Sequence, residues 1–302
     1  MKKKLLITGG NGFIGRYFCR ECAAQGIDFS VLCRNGGATE NADHRYYADL
    51  LDARSLGGAM EVLCPDVVVH LAAIASPVHE NAAEVYETNV IGTENLLSAA
   101  QNCLPVGTRV ILASTAGVYG NQEVAYLSED TPFNPINHYS YSKMVMEFLS
   151  RQYADRLDIC IIRPFNIIGS GQKENFFIPK LVKLFSQHAS EIFLGNLKSV
   201  RDYVPVDYCA KVIMDLALSK SPVPSILNIC SGVGHSCEEI VHIMEDLTGY
   251  IPKIYSTHEF SRQNEIWRLV GDPTRLKSLI AEKYVARPVE DILKEMLFQK
   301  KG

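Results

Sequence analysis

A chain of 302 residues, 47% hydrophobic and 21% charged, holds enough apolar material for one large domain or a domain with a lobe. Its formal net charge of −4 gives no basic field of the kind that nucleic acid or an anionic membrane requires, so small-molecule chemistry is favoured, with no nucleic-acid and no membrane partner. No stretch approaches the roughly 18 consecutive apolar residues of a transmembrane helix.

The opening MKKKLLITGG carries an apolar run of only Leu5 to Ile7 before Thr8 and the glycines, too short for a secretory signal, and reads as a first strand. A cytoplasmic protein is expected. The cysteines are odd in number and scattered through apolar patterns, which reads as reduced thiols. Cys19 and Cys22 form a lone CxxC on the predicted first helix; with no second pair at metal-ligand spacing they read as helix packing, and no metal is expected. Strand-like runs follow at 29–33, 66–72, 109–114 and 159–163, alternating with helical patterns. That alternation predicts an α/β fold, a Rossmann-type doubly wound parallel sheet with helices on both faces. The near-continuous apolar character of the runs fits strands buried on both sides.

After Pro164 the rhythm changes to FNIIGSGQKENFF, then a helical run from Pro179, then short segments broken by Gly, Pro and Asn. The predicted division is a dinucleotide-binding domain over 1–168, joined by part of 200–230, and a smaller, irregular C-terminal lobe over 169–302 that covers the strand ends and binds substrate. The helical patterns around 83–101 and 139–156 are long and apolar, which points to a homodimer.

TGGNGFIG, Thr8 to Gly15, follows the first strand and opens a helix, with Gly9, Gly12 and Gly15 at GxxGxxG spacing. Glycines permit the tight turn and close backbone approach, and the helix start at Phe13 and Ile14 offers free N–H groups and a positive dipole end to a pyrophosphate. A site for nicotinamide adenine dinucleotide usually has an acid at the end of its second strand, for the adenosine ribose. Here Cys33 stands there, followed by Arg34, whose guanidinium is suited to a 2′-phosphate. NADP(H) is therefore favoured and NAD(H) remains possible; Arg34 also reads as a solvated surface residue.

HYSYSKMVMEF, 138–148, places Tyr139 and Lys143 four apart on one helix face, after the strand whose end carries Ser114 and Thr115. Reducing a carbonyl needs a proton donor at oxygen while hydride reaches carbon. A free phenol has a pKa of about 10, and Lys143 is expected to lower that of Tyr139 by stabilising phenolate. Thr115 would orient the reacting oxygen. Tyr141, two residues from Lys143, is expected to face away.

TGGNGFIG, the Asp49-Leu50 pair, HLAA at 70–73, TNVIGT at 88–93, STAGVYG, YSYSK, RPFNIIGSGQ and RDYVPV together resemble the extended short-chain dehydrogenases, the NAD-dependent epimerase/dehydratase family. The resemblance covers nearly the whole chain. It implies that Asp49 and Leu50 lie near adenine and that Leu71, Ala72 and Ala73 lie beside the cofactor. It further implies that Thr115, Tyr139 and Lys143 form the reacting trio, the last two also touching the cofactor, and that Ser114, Asn166 and Arg201 contact a sugar-nucleotide substrate. Arg201 beside Asp202 also reads as a structural ion pair.

Within the family, LGNLKSVRDY at 194–203 and RQNEIWRLVGDPTRLK at 262–277 are most similar to the GDP-mannose dehydratases and GDP-4-keto-6-deoxymannose reductases. That branch usually carries Arg-Pro-x-Glu where this chain has Arg262, Gln263, Asn264 and Glu265, and the resemblance gives Arg262 and Glu265 phosphate and ribose contacts. The dehydratases set an acidic pair directly after the catalytic Ser or Thr; Ala116 and Gly117 stand there, which disfavours dehydration. The readings left are NADPH-dependent reduction of a nucleotide-linked 4-keto-6-deoxyhexose, a 4-epimerase with bound NAD(P), and a non-catalytic sensor of cofactor.

Overall fold

The computed structural model describes residues 3–34, 44–76, 79–256, 265–280 and 283–298. The chain begins with β1 (Lys4–Thr8), α1 (Phe13–Ala24), β2 (Asp28–Cys33), β3 (His44–Tyr47), α2 (Ala53–Leu63) and β4 (Val67–His70). Helices α3 (Ala82–Tyr86) and α4 (Gly92–Cys103) follow, joined through a π-helical turn, Glu87–Ile91, and then β5 (Thr108–Ala113), α5 (His138–Ser150) and β6 (Leu157–Pro164). Next come β7 (Asn166–Ile168), α6 (Phe177–Ser186), β8 (Glu191–Leu194), β9 (Val200–Pro205), α7 (Val206–Leu218) and β10 (Ile226–Ile229). The described chain closes with β11 (Gly234–Ser236), α8 (Cys237–Thr248), β12 (Lys253–Ser256), β13 (Arg268–Leu269), α9 (Thr274–Ile280) and α10 (Val289–Phe298).

Seven strands form one sheet in the order β10-β6-β5-β4-β1-β2-β3, and the registers from β6 through β3 are all parallel. The order reverses at β1, the topology of a doubly wound dinucleotide fold, whose ligands lie at the carboxyl ends of the strands beside that reversal. Leu5, Leu6, Ile7, Val67, Val68 and Val69 have no exposed surface, as expected of strands covered on both faces. Two strands of this sheet were not anticipated, β3 and β10, which stand at its two edges; β3, HRYY, pairs with β2, and an edge strand has no need of a continuous apolar run. The helical pattern at 139–156 stops short, because α5 ends at Ser150 and tightens into a 3-10 turn over Arg151–Tyr153.

The chain divides into two compact units, one comprising residues 1–118, 135–164 and 209–227, the other 119–134, 165–208 and 228–302. The segment 119–134 thus goes with the second unit. Its partners explain this: Leu127 bridges Gly271, the Asn121 amide donates to the Glu265 carbonyl at 2.7 Å, and Glu129 accepts from Asn228 N at 2.9 Å. In the first unit, Leu6, Val68, Val110 and Leu112 of the sheet pack with Leu56 and Met60 of α2, Leu96 and Leu97 of α4, and Met146 of α5. In the second, Ile178, Leu181 and Phe185 of α6, Ile240 and Met244 of α8, and Ile292 and Leu293 of α10 close over Ile192 and Tyr203. The second unit's strands are short: β9 is flanked by β11 and β13 and pairs β7 further along, while β8 and β12 pair apart from them. Cys19 and Cys22 are buried on α1, and none of the nine cysteines is in a disulfide. No helix of the described residues is long and apolar enough to cross a membrane.

Candidate active site

The loop between β1 and α1 is shaped by close backbone approach. Gly9 has φ +71, and a Cβ there would lie 2.5 Å from Ala72 N, so no larger residue fits between this loop and the end of β4. Gly12 caps α1 without any side-chain hydrogen bond, which leaves the first-turn N–H groups at Phe13, Ile14 and the buried Gly15 free of an internal cap. An uncapped helix start behind a glycine turn, at the sheet's order reversal, fits the pyrophosphate of a dinucleotide. Ala72 N donates to Thr8 Oγ1 at 3.2 Å, and Leu71 N to the Thr8 carbonyl at 3.1 Å, so Leu71, Ala72 and Ala73 are held beside that loop. Asp49 receives Leu51 N on its carboxylate at 2.9 Å, and Leu50 packs on Gly92 of α4. Arg34 is exposed at the end of β2.

Behind the loop lies a polar chain that sequence reasoning did not assign. Thr8 Oγ1 and His70 Nδ1 are 2.7 Å apart, His70 Nε2 and Thr93 Oγ1 are 2.9 Å apart, and Thr93 donates to the Asn89 carbonyl at 2.8 Å. Because Thr93 gives its proton to a carbonyl, it accepts from Nε2–H, which leaves Nδ1 to accept from Thr8. The imidazole is held neutral: burial, with the Lys143 charge nearby, pushes His70 down to about 3. Asn89, in the π-helical turn, receives Ile74 N at 2.9 Å and donates to the Ile74 carbonyl and to Ser142 Oγ, which in turn donates to the Tyr139 carbonyl at 2.7 Å. The signal for these residues was inside the HLAA and TNVIGT motifs, where their spacing gave no partner.

Helix α5 starts where it does because Asn137 caps it, its side chain accepting from Ser140 N at 2.9 Å. Tyr139 therefore falls in the first turn and Lys143 one turn on. Thr115 Oγ1 accepts from Gly117 N at 3.1 Å, its hydroxyl acts to lower the Tyr139 phenol, and Lys143 Nζ donates to the Ala113 carbonyl at 2.7 Å. The structure thus brings Thr115, Tyr139 and Lys143 together. Tyr139 opens onto a cavity of about 300 Å³ lined by Ser76, His79, Ile136, His138 and Tyr141 among others. Tyr141 was expected to face away; it is exposed but also reaches this cavity, since the first turn of α5 splays both rings toward it.

Two expectations need correction. Tyr139 is not lowered: the protein packed around its phenol pushes it up to about 12, and the opposing influence is the Thr115 hydroxyl. Burial brings Lys143 down to about 8 while Glu147 opposes that shift, so the ammonium is itself strained by desolvation and is tied to the Ala113 carbonyl. Ser114, expected at the substrate, is 4% exposed, and its hydroxyl donates to Glu147 Oε1 at 2.5 Å. That hydroxyl is taken up inside the protein.

In the second unit, Asn166 lies on β7 opposite Tyr203, and Arg201 lies on β9 opposite His235 of β11. Arg201 and Glu265 share a neighbourhood: burial raises the Cys237 thiol, with Arg201 lowering it and Glu265 raising it. Asp202 does not depend on Arg201, because both its oxygens are taken by Ser231 N and Oγ, Gly232 N and Gly271 N. Arg262 lies outside the described residues. Among the described residues no cluster of His, Cys, Asp and Glu is arranged to hold a metal ion.

Residues 5–230 match the profile of the NAD dependent epimerase/dehydratase family. The chain belongs to that family. Among its relatives, a GDP-6-deoxy-D-talose 4-dehydrogenase of Aggregatibacter actinomycetemcomitans is 37% identical over 296 residues, 97% of this chain and 96% of the relative. A GDP-6-deoxy-D-mannose reductase of Pseudomonas aeruginosa is 29% identical, covering 91% of this chain and 90% of the relative. The solved structure of RMD from Pseudomonas aeruginosa, complexed with NADPH, superposes with a TM-score of 0.82 at 26% identity, covering 98% of both chains. Family membership makes the protein a nicotinamide-dependent enzyme with a Rossmann-like fold.

Proposed function

We propose that this family member is a 4-ketoreductase that uses NADPH to reduce a nucleotide-linked 4-keto-6-deoxyhexose, GDP-linked, in deoxysugar biosynthesis. The observation that carries the reading is the surroundings of Thr115. Ala116 and Gly117 follow Thr115 directly, Ala116 only 1% exposed, and neither supplies the acid and base that dehydration requires. The keto sugar must then arrive already made. The talose dehydrogenase and the mannose reductase, both named for GDP-6-deoxyhexoses, support the substrate class.

The cofactor supplies hydride to C4. Everything else is done by side chains of this chain. Tyr139, held neutral by its high pKa, donates its proton to the C4 oxygen, and the Thr115 hydroxyl stabilises the phenolate that remains. Lys143, a buried ammonium one turn away, favours that phenolate electrostatically and holds the nicotinamide ribose. Arg34 pairs with the 2′-phosphate of NADPH. Asn166, Arg201, Arg262 and Glu265 contact the nucleotide and its diphosphate. Ile91, Tyr141 and Phe148, exposed on the π-helical turn and on α5, form the apolar face of a homodimer.

Absorbance of NADPH, followed with two kinds of substrate, tests the assignment. Stoichiometric oxidation with a GDP-4-keto-6-deoxyhexose is the expected result. Interconversion of two hydroxylated sugar nucleotides with no net cofactor consumption would instead make the protein a 4-epimerase, and no turnover of either kind would favour a cofactor sensor.

A further inference from the structure

Behind the reacting trio lies a buried ion pair that the proposed reaction does not use. Glu147, on α5, has no exposed surface, and Arg163, on β6, is 2% exposed. Arg163 Nη2 donates to Glu147 Oε2 at 2.6 Å and Nε donates to Oε1 at 3.0 Å, a two-pronged contact. Glu147 Oε1 also accepts the Ser114 hydroxyl at 2.5 Å, and Ser114 N donates to the Ile162 carbonyl at 2.8 Å. The bonds close a ring through the end of β5, α5 and β6. Thr115 follows Ser114 directly, and Tyr139 and Lys143 stand on the same helix as Glu147, so the ring joins the two elements that carry the trio.

A buried ion pair is an expensive way to join them, since taking both charges out of water offsets most of their attraction, and a packed apolar pair is often as stable. The placement of this one gives it work beyond packing. Glu147 lies one helical turn beyond Lys143, on the same face. The groups turned to Lys143 are Tyr139 and Glu147 on its own helix, His70 at the end of β4, the Ala113 carbonyl on β5 and, behind Glu147, Arg163 on β6. His70 is neutral, so Glu147 is the carboxylate of that set.

We propose that Glu147 is a positioning residue of the reaction: it fixes the Thr115 strand end against the Tyr139 helix through Ser114 and sets its carboxylate one helical turn from Lys143. The inference rests on the trio proposed above. Glu147 opposes the desolvation of Lys143, which without that charge would lose its proton at lower pH.

Three variants separate this role from packing. Glu147→Gln keeps an acceptor for Ser114 but strands Arg163 as a buried cation, so it is expected to lower the melting temperature. Glu147→Gln with Arg163→Met removes both charges, keeps the Ser114 bond, and is expected to melt close to the wild type. In the stable double variant the alkaline limb of kcat/KM is expected to move down by on the order of one pH unit. The carbon NMR titration of Lys143 Cε, assigned with Lys143→Arg, should move with it in protein without substrate. Glu147→Asp, which keeps the charge, should return the limb toward its original place. A double variant with wild-type stability, Lys143 titration and pH profile would show Glu147 to be merely structural and overturn the proposal. Should the double variant fail to fold, Glu147→Asp and Glu147→Gln compared by the Lys143 titration decide the matter, an unchanged titration in both overturning it. Tyr139→Phe serves as the control: full activity there would defeat the trio itself, whereas an inactive Tyr139→Phe beside unmoved Glu147 variants defeats only this inference.

Discussion

The two compact units use their buried polar groups for different ends. In the first, Lys143, His70, Glu147 and Arg163 are at most 2% exposed and are bonded to one another or to strand ends around Thr115 and Tyr139. In the second, the buried polar groups hold turns: Asp202 gathers Ser231, Gly232 and Gly271, and Asn228 ties Leu127, Glu129 and Tyr119 together. Its Arg201 and His235 stay partly exposed on short strands. The difference separates two tasks. Desolvated, fixed dipoles and charges suit a reacting bond, where stabilisation must be in place before the transition state. A partly exposed guanidinium such as that of Arg201, on a short strand, suits a charged ligand that is bound and released.

The division of tasks between the two units is tested first at Tyr139. Tyr139→Phe is expected to lower kcat by roughly 10²–10⁴-fold while cofactor affinity, measured by NADPH fluorescence, stays near wild type. Tyr141→Phe is the companion, expected to remain active; the reverse pattern would mean that Tyr141 is the proton donor. In the second unit, Arg201→Ala is expected to raise KM for the sugar nucleotide on the order of 10–100-fold with kcat nearly kept, as loss of a charged hydrogen bond to a diphosphate would. A fall in kcat alone would place Arg201 with the chemistry and erase the contrast.

Smaller effects sharpen it within the first unit. Arg34→Ala is expected to reduce the preference for NADPH over NADH by roughly tenfold in paired titrations. His70 gives a stability signature: folding depresses it from 6.5 to about 3, so the unfolded chain binds the extra proton across that interval. Stability is therefore fully present above pH 6.5 and is lost as pH falls toward about 3. Denaturant unfolding at several pH values should show a shallower acid loss for His70→Asn, which keeps a donor and an acceptor but does not titrate.

What could be read from the sequence follows the same division. The glycine loop, the parallel strands and the Tyr139/Lys143 spacing are set by local geometry: a turn needing Gly9, strands covered on both faces, and a helical repeat. The buried network was not legible, because His70 meets Thr93, and Glu147 meets Arg163 and Ser114, only through sheet order and helix packing. For the same reason Ser114 reads from sequence as a substrate contact, while in the fold its hydroxyl is spent on Glu147. The direction of the Tyr139 shift also escapes a sequence argument: a neighbouring lysine suggests lowering, and the packing that decides for raising has no mark in the sequence. In the second unit, β11, β12 and β13 are two to four residues long, too short for a period to declare itself, and 119–134 joins that unit through contacts nearly 150 residues away in sequence.

In the proposed reaction hydride passes to C4 of an incoming keto sugar as Tyr139 gives up its proton. Deuterium labelling tests this most directly, with NADPH carrying deuterium at the transferred position and a GDP-4-keto-6-deoxyhexose as substrate. Proton NMR of the product is expected to show deuterium at C4, one atom for each NADPH oxidised, in a single configuration, with the transfer abolished in Tyr139→Phe. A 4-hydroxyl product without label, or sugar interconversion while the labelled cofactor persists, would contradict the claim.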